Sequence, residues 1–214
     1  MYNFRYVTKK EKINTKKEII EILNAIQDLV RDDFTFRYDF IGSESRNMVT
    51  MDEKSNIGFD FDVNIRINDD EQNYSAKEIK ETLINAFNRV SRNYGYDYCE
   101  NSTRVITIKV KDRTKSRIIH SCDFAIVNDY VDNNGYKCQQ YIRFNKGSNT
   151  YTWEEQPDGF YQLPEKIEWC KEQGLWQEAR ELYLYKKNTN ADPDKKSRSI
   201  FAETVNQICM QNGY

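Results

Sequence analysis

Asp60 and Asp62 stand two residues apart in Gly58-Phe59-Asp60-Phe61-Asp62-Val63-Asn64-Ile65-Arg66-Ile67, a stretch that alternates without a fault. Phe59, Phe61, Val63, Ile65 and Ile67 fall on one side, and Asp60, Asp62, Asn64 and Arg66 on the other. Period-two alternation of aromatic and β-branched residues predicts a strand with one face in the core, so both carboxylates point the same way. Such neighbours repel, and one tends to keep its proton. A divalent cation between them removes the conflict, and carboxylate oxygens are the ligands Mg²⁺ prefers. The competing reading is a solvated pair in an acid-rich chain. The same spacing recurs at Asp192 and Asp194, around Pro193 in a polar stretch, where a solvated loop is expected. The first copy differs because its apolar partner face fixes the direction of the side chains.

A third carboxylate, Asp123, lies in Ser121-Cys122-Asp123-Phe124-Ala125-Ile126-Val127. A carboxylate in so apolar a strand is costly to bury without compensation. A bound metal supplies it, and so does a salt bridge to Arg or Lys; the residues alone leave both open. The single histidine, His120, excludes a site built from several imidazoles. It is three positions from Asp123, so alternation turns it to the opposite face, as a packed or surface residue. Arg46, Lys109, Lys111, Arg113, Lys115 and Arg117 are cations within reach of a phosphate, but the last five crowd a hairpin tip and read as a solvated charged turn. Tyr151, Trp153 and Phe160 read as an aromatic cluster over a core edge.

These residues need elements to hold them. Thr15-Lys16-Lys17-Glu18 has the form of a capping box and predicts a helix over about 15–32, after a polar lead-in. Phe34 to Ile41 alternates as a strand that ends at Gly42-Ser43. The polar segment that follows, 44–56, opens with a short helix at Ser43. After the Asp60–Asp62 strand and a polar turn over 68–73, Ser75-Ala76-Lys77-Glu78 opens a second helix that stops near Gly95. Strands over 103–110 and 117–127 form a hairpin, and Asn133-Asn134-Gly135 turns into an outer strand over 136–144. Helices are expected over 163–173, 175–187 and 197–212. The order gives an α+β fold, with a strand-bearing domain over 1–150 and a helical C-terminal part over 151–214.

Composition bounds the rest. With 31% charged, 38% hydrophobic and 14% aromatic residues, the chain suits a soluble globular protein whose core leans on Phe and Tyr. A net charge of −2 argues against coating nucleic acid by charge alone. Five widely spaced cysteines with no C-x-x-C are expected to be reduced thiols, and no stretch has the character of a membrane span or signal peptide. A cytoplasmic location is expected.

A Gly-Ser at a strand-to-helix junction, an acid-Phe-Asp-Val string and a third Asp on a later strand occur here in that order, as Gly42-Ser43, Asp60-Phe61-Asp62-Val63 and Cys122-Asp123-Phe124. The arrangement resembles the DNA polymerase beta-like nucleotidyltransferase superfamily, in layout most like the branch of cyclic GMP-AMP synthase, oligoadenylate synthase and bacterial second-messenger synthases. The resemblance covers about residues 15–130. It implies a mixed sheet flanked by helices and transfer of a nucleoside monophosphate from an NTP, such as ATP, to a hydroxyl. By the same resemblance Asp60, Asp62 and Asp123 would ligate two Mg²⁺ (or Mn²⁺) ions, with Asp123 also helping to activate the attacking hydroxyl. Gly42 would let the backbone approach the triphosphate, and Ser43 would bond a phosphate oxygen. The acceptor, whether nucleotide, RNA, protein or small molecule, is left open, and no membrane partner is implied. The gap from Gly-Ser to the acidic pair is longer than the family pattern, and the helical part is smaller than in the second-messenger synthases. Two other readings are a metal-dependent nuclease and an inactive relative that binds nucleotide or RNA. A triphosphate cradle has no obvious use in the first, and all three aspartates are present against the second.

Overall fold

The computed structural model describes residues 2–69, 73–157 and 162–214. Parts of the expected turn over 68–73, and Phe160, lie outside the described residues. In chain order the elements are β1 (Phe4–Tyr6), α1 (Lys9–Val30), β2 (Thr35–Ile41), α2 (Gly42–Ser45), β3 (Thr50–Asp52), β4 (Phe59–Asn68), α3 (Ala76–Val90), β5 (Glu100–Asn101), β6 (Val105–Asp112), β7 (Arg117–Val131), β8 (Lys137–Asn145), β9 (Thr150–Glu155), α4 (Leu163–Glu172), α5 (Trp176–Thr189) and α6 (Ser197–Gln211). The chain divides into two compact units, one of residues 7–51 and 56–156, the other of residues 1–6, 52–55 and 157–214.

The first unit is an α+β layer built on one mixed sheet. Its strands run β2-β4-β7-β6-β5, with β8 paired to β7 and β9 to β8. Among the described residues, this sheet pairs β4 with β7 in parallel and its other neighbours antiparallel. The alternation in β4 sets its two faces. Phe61, Val63 and Ile65 are wholly buried, joined by Phe124 and Ile126 of β7 and Ile106 and Ile108 of β6. Helices α1 and α3 cover this face through Ile19, Ile22, Leu23 and Ile26, and through Ile79, Leu83 and Phe87. Burial of such side chains contributes roughly 1.5–3 kcal/mol each, so the core holds the β4–β7 pair rigidly. The polar residues of β4 are thereby committed to the opposite face.

Helix α1 starts six residues before its expected beginning. Two T-x-x-E boxes stand in tandem, and the first, Thr8 with Glu11, is the one that caps: the Glu11 amide donates to Thr8 Oγ1 and the Thr8 amide to Glu11 Oε2. The extra turn carries Lys12, whose buried ammonium has partners that local sequence does not reveal. Helix α3 is capped by Ser75 and Glu78 as expected, and a 3₁₀ turn over Ser91–Tyr94 ends on left-handed Gly95, at φ 83°. The aromatic cluster of the first unit joins the core edge: Tyr151 stacks on Phe144 at 4.6 Å and accepts from Asn101 Nδ2, while Trp153 packs against the core.

The second unit gathers α4, α5 and α6 around Ala179, Tyr183, Ile200, Phe201, Val205 and Ile208, with Trp176 and Tyr183 edge-on to Phe201. The N-terminal residues belong to it. The Phe4 amide donates to Asn188 Oδ1, and the Lys187 ammonium stands 3.9 Å from the Phe4 ring centre. No helix among the described residues is long and apolar enough to cross a membrane.

Candidate active site

Asp62 and Asp123 are direct neighbours across the parallel β4–β7 pair, and Asp60 faces Ser121 one pleat earlier. A register one residue away would put Asp123 into the core face. With this register, one carboxylate oxygen from each of Asp60, Asp62 and Asp123 lies within 4.8 Å of the others. All three residues are half-buried.

Their surroundings are polar but supply little charge. Ser121 Oγ donates to Asp60 Oδ1 at 2.8 Å, and Thr107 Oγ1, opposite Asp123 on β6, donates to Asp123 Oδ1 at 2.5 Å. Lys109 is on the same sheet face but is drawn to Glu100 at 2.7 Å. No Lys or Arg among the described residues forms a salt bridge with the triad, so a salt bridge does not account for Asp123. Burial, then the nearby Asp123 carboxylate, pushes Asp60 up to about 7 despite the Ser121 hydrogen bond. Burial and Asp123 also raise Asp62, with Arg46 acting in the opposite sense. Asp123 is raised by burial, against its bond from Thr107 and the Lys109 charge. Three crowded carboxylates with only hydroxyl donors bonded to them are a donor set suited to a hard divalent cation, which offsets their repulsion.

Gly42 closes the other side of the site. Ile41 is the register partner of Asp62, so β2 ends beside that carboxylate. Gly42 has φ 62°, and a Cβ built on it would stand 2.5 Å from Asp62 Oδ2. The left-handed backbone favours glycine here, and any side chain would have to displace the Asp62 carboxylate. Ser43 follows in α2, a helix of four residues that buries none of them. The Gly-Ser junction and the acidic strand, separated by fourteen intervening positions of mostly polar sequence between Gly42-Ser43 and Gly58, therefore meet in space.

Unlike Lys109, the other residues set aside on sequence grounds, His120, Lys111, Arg113, Arg117, Asp192 and Asp194, lie away from the triad. His120 is buried on the core face, 2.9 Å from the Tyr96 hydroxyl and stacked on Phe59; burial pushes its imidazole down to about 4. Lys111 and Arg113 pair with Asp97, and Arg117 with Asp112. Asp192 and Asp194 form an exposed turn, with the Asp194 amide donating to Asp192 Oδ1 at 2.9 Å. Sequence reasoning missed Ser121, Thr107 and Glu44. Ser121 was accessible, since it shares the face of Asp123 by alternation. Thr107 required the hairpin register, and Glu44 required the longer α1.

No protein-family model matches the chain, and no curated protein matches it in sequence. Solved structures do match in fold. The chain is similar to the STING-associated CdnE c-di-GMP synthase of Capnocytophaga granulosa, with TM-score 0.59 and 20% identity over 94% of this chain and 61% of that one. It is also similar to the Vibrio cholerae DncV cyclic AMP-GMP synthase, described as a prokaryotic cGAS homolog, with TM-score 0.65 and 12% identity over 97% and 73%. The Rhodothermus marinus CdnE c-UMP-AMP synthase matches with TM-score 0.53 and 13% identity over 90% and 70%. The DncV protein is solved with ATP and GTP, and the Rhodothermus one with Apcpp and Upnpp. At these identities the likeness is one of fold. The chain shares the α+β fold of these synthases, and it spans 61% of the length of the Capnocytophaga enzyme.

Proposed function

We propose that this protein is a metal-dependent nucleotidyltransferase that transfers a nucleoside monophosphate from an NTP, ATP among them, to a hydroxyl acceptor. The observation that supports this most is the meeting of Asp60, Asp62 and Asp123 within 4.8 Å of one another, with the Gly42 backbone against Asp62. Asp60, Asp62 and Asp123 would hold Mg²⁺, or Mn²⁺ in its place. Such an ion supplies charge neutralisation for the phosphoryl oxygens of an in-line displacement.

The chain's own residues supply position and proton handling. Gly42 brings backbone close to the triphosphate, and Ser43 offers a hydroxyl to a phosphate oxygen. The acceptor oxygen forms a bond to the α-phosphorus, and the bond to the β-phosphate oxygen breaks. Pyrophosphate leaves with the electron pair. Asp123 receives the proton that the acceptor hydroxyl gives up. Ser121 and Thr107 fix the orientations of Asp60 and Asp123. The fold likeness to cyclic dinucleotide synthases favours a second nucleotide as acceptor, and the supply of NTP and Mg²⁺ favours a cytoplasmic setting.

The test is incubation of purified protein with Mg²⁺ or Mn²⁺ and each labelled NTP, with chromatography of the products. Pyrophosphate release with a new nucleotide-bearing product is expected. Cleavage of phosphodiesters without an NTP requirement would instead indicate a nuclease.

A further inference from the structure

We propose that Glu44, gripped by Lys12 and Lys16, is a positioning residue that holds the Gly42-Ser43 turn in register with Asp62; this rests on the nucleotidyltransferase reading above. The turn lies against β2 and β4. Within it, Ser45 Oγ donates to the Gly42 carbonyl at 3.0 Å, and the Met48 amide to the Ser43 carbonyl at 2.7 Å. Glu44 reaches out of the turn to α1. Lys16 Nζ donates to Glu44 Oε1 at 2.8 Å, and Lys12 Nζ donates to Glu44 Oε2.

The grip is two-handed, with the Lys12 pair buried and the Lys16 side chain 35% exposed. The side chains of Lys12 and Glu44 are 6% and 7% exposed. Burial alone would raise the Glu44 carboxyl, but the two ammonium groups outweigh it and hold it below its ordinary range. Lys12 also meets Asn47 Oδ1, at the far end of the turn, at 3.3 Å. Lys16 Nζ lies 4.6 Å from the ring centre of Phe40, two residues before Gly42. Helix α1 therefore holds the segment both before and after Gly42-Ser43.

A buried ion pair is a weak source of stability but a stringent one of geometry, because removing one member strands the other charge. Here geometry matters. Gly42 approaches Asp62 so closely that even a methyl group would collide with it. A turn released from α1 would carry the Ser43 hydroxyl and the Gly42 backbone away from the position they need over the carboxylates.

The experiment compares wild type, Glu44→Gln, Glu44→Asp and Leu83→Ala, the last a core truncation on α3 that lowers stability without touching the turn. Each is titrated calorimetrically with a non-hydrolysable NTP and Mg²⁺, well below its unfolding temperature, and amide exchange is followed over residues 42–48. In Glu44→Gln, nucleotide affinity falls roughly tenfold or more and turn amides exchange faster, while β4 and β7 amides keep their protection. Glu44→Asp, which keeps the charge, recovers most of the affinity. Leu83→Ala binds within about twofold of wild type. Folded Glu44→Gln protein that binds nucleotide like wild type, or Leu83→Ala protein that loses as much affinity, overturns the inference. Wild-type protein that binds none of the four nucleotides overturns the nucleotidyltransferase reading and this inference with it; silence of the wild type itself separates that outcome from the others.

Discussion

The three carboxylates are held together against their own repulsion, and this has a measurable consequence. Asp60 is pushed up to about 7 by burial and the neighbouring Asp123 charge, and Asp62 and Asp123 are raised in the same direction. For an acid whose folded pKa lies above its unfolded value, the unfolded state sheds protons first. Stability then falls as pH rises from the ordinary carboxylate range toward neutrality, and the full penalty is present above the folded pKa. A divalent ion that binds only the folded site offsets that penalty by mass action. The expected outcome is a Mg²⁺-induced rise in unfolding temperature that is clearly larger at pH 8 than at pH 5.5, and absent in Asp60→Asn/Asp62→Asn. A rise of equal size at both pH values would contradict it. At this scale the sequence was informative where alternation fixed a side chain's direction, as for Asp60, Asp62 and the core-facing His120. It was silent on Thr107, whose hydroxyl reaches Asp123 only through the β6–β7 register.

Among the elements, the β4–β7 pair carries the site, and its start depends on a glycine that the sequence left as an unremarked boundary. A Cβ on Gly58 would run into the backbone carbonyl of Ile119. That neighbour is main chain and cannot swing aside. Gly58→Ala is therefore expected to destabilise the first unit by roughly 1–3 kcal/mol, as overpacking does, and to shift Asp60 two residues on. Urea denaturation measures the first effect, and loss of the Mg²⁺ stabilisation at neutral pH reports the second. Unchanged stability would show that the strands can separate locally at no cost. Most element types were legible from periodicity and caps. The start of α1 was not, because two capping boxes of equal local quality stand in tandem and Lys12 meets Glu44 and Asn47 through tertiary contacts. Strand β9 was also missed: Tyr151 and Trp153 were read as an aromatic cluster, and their alternation becomes a strand only through the pairing with β8.

For the molecule as a whole, thiol chemistry gives an independent check on the packing of both units. Cys122, Cys170 and Cys209 are buried, whereas Cys99 and Cys138 are partly exposed. Burial pushes the Cys99 thiol up to about 11, and little thiolate is then present at neutral pH. Iodoacetamide under native conditions is expected to modify Cys138 first and Cys99 slowly, with the remaining three reacting only after unfolding; mass spectrometry of the digested protein reads the order. Rapid native modification of Cys122 would contradict the placement of β7 at the centre of the sheet. The α+β class and the helical C-terminal stretch were both legible in the sequence. The joining of residues 1–6 with the C-terminal helices was not, since it depends on contacts such as Phe4 with Asn188, 184 residues apart. Whether the acidic triad performs nucleotidyl transfer is decided by one paired measurement: calorimetric binding of a non-hydrolysable NTP with Mg²⁺, and product formation from labelled NTPs, on wild type, Asp123→Asn and Asp60→Ala/Asp62→Ala. Asp123→Asn is expected to bind within a few-fold of wild type while transfer falls by roughly a hundredfold or more, a loss of at least ~2.7 kcal/mol of transition-state stabilisation, and the double variant is expected to lose both. Transfer by Asp123→Asn at the wild-type rate would contradict this role of the triad, as would a wild type that shows neither affinity nor transfer with any of the four NTPs.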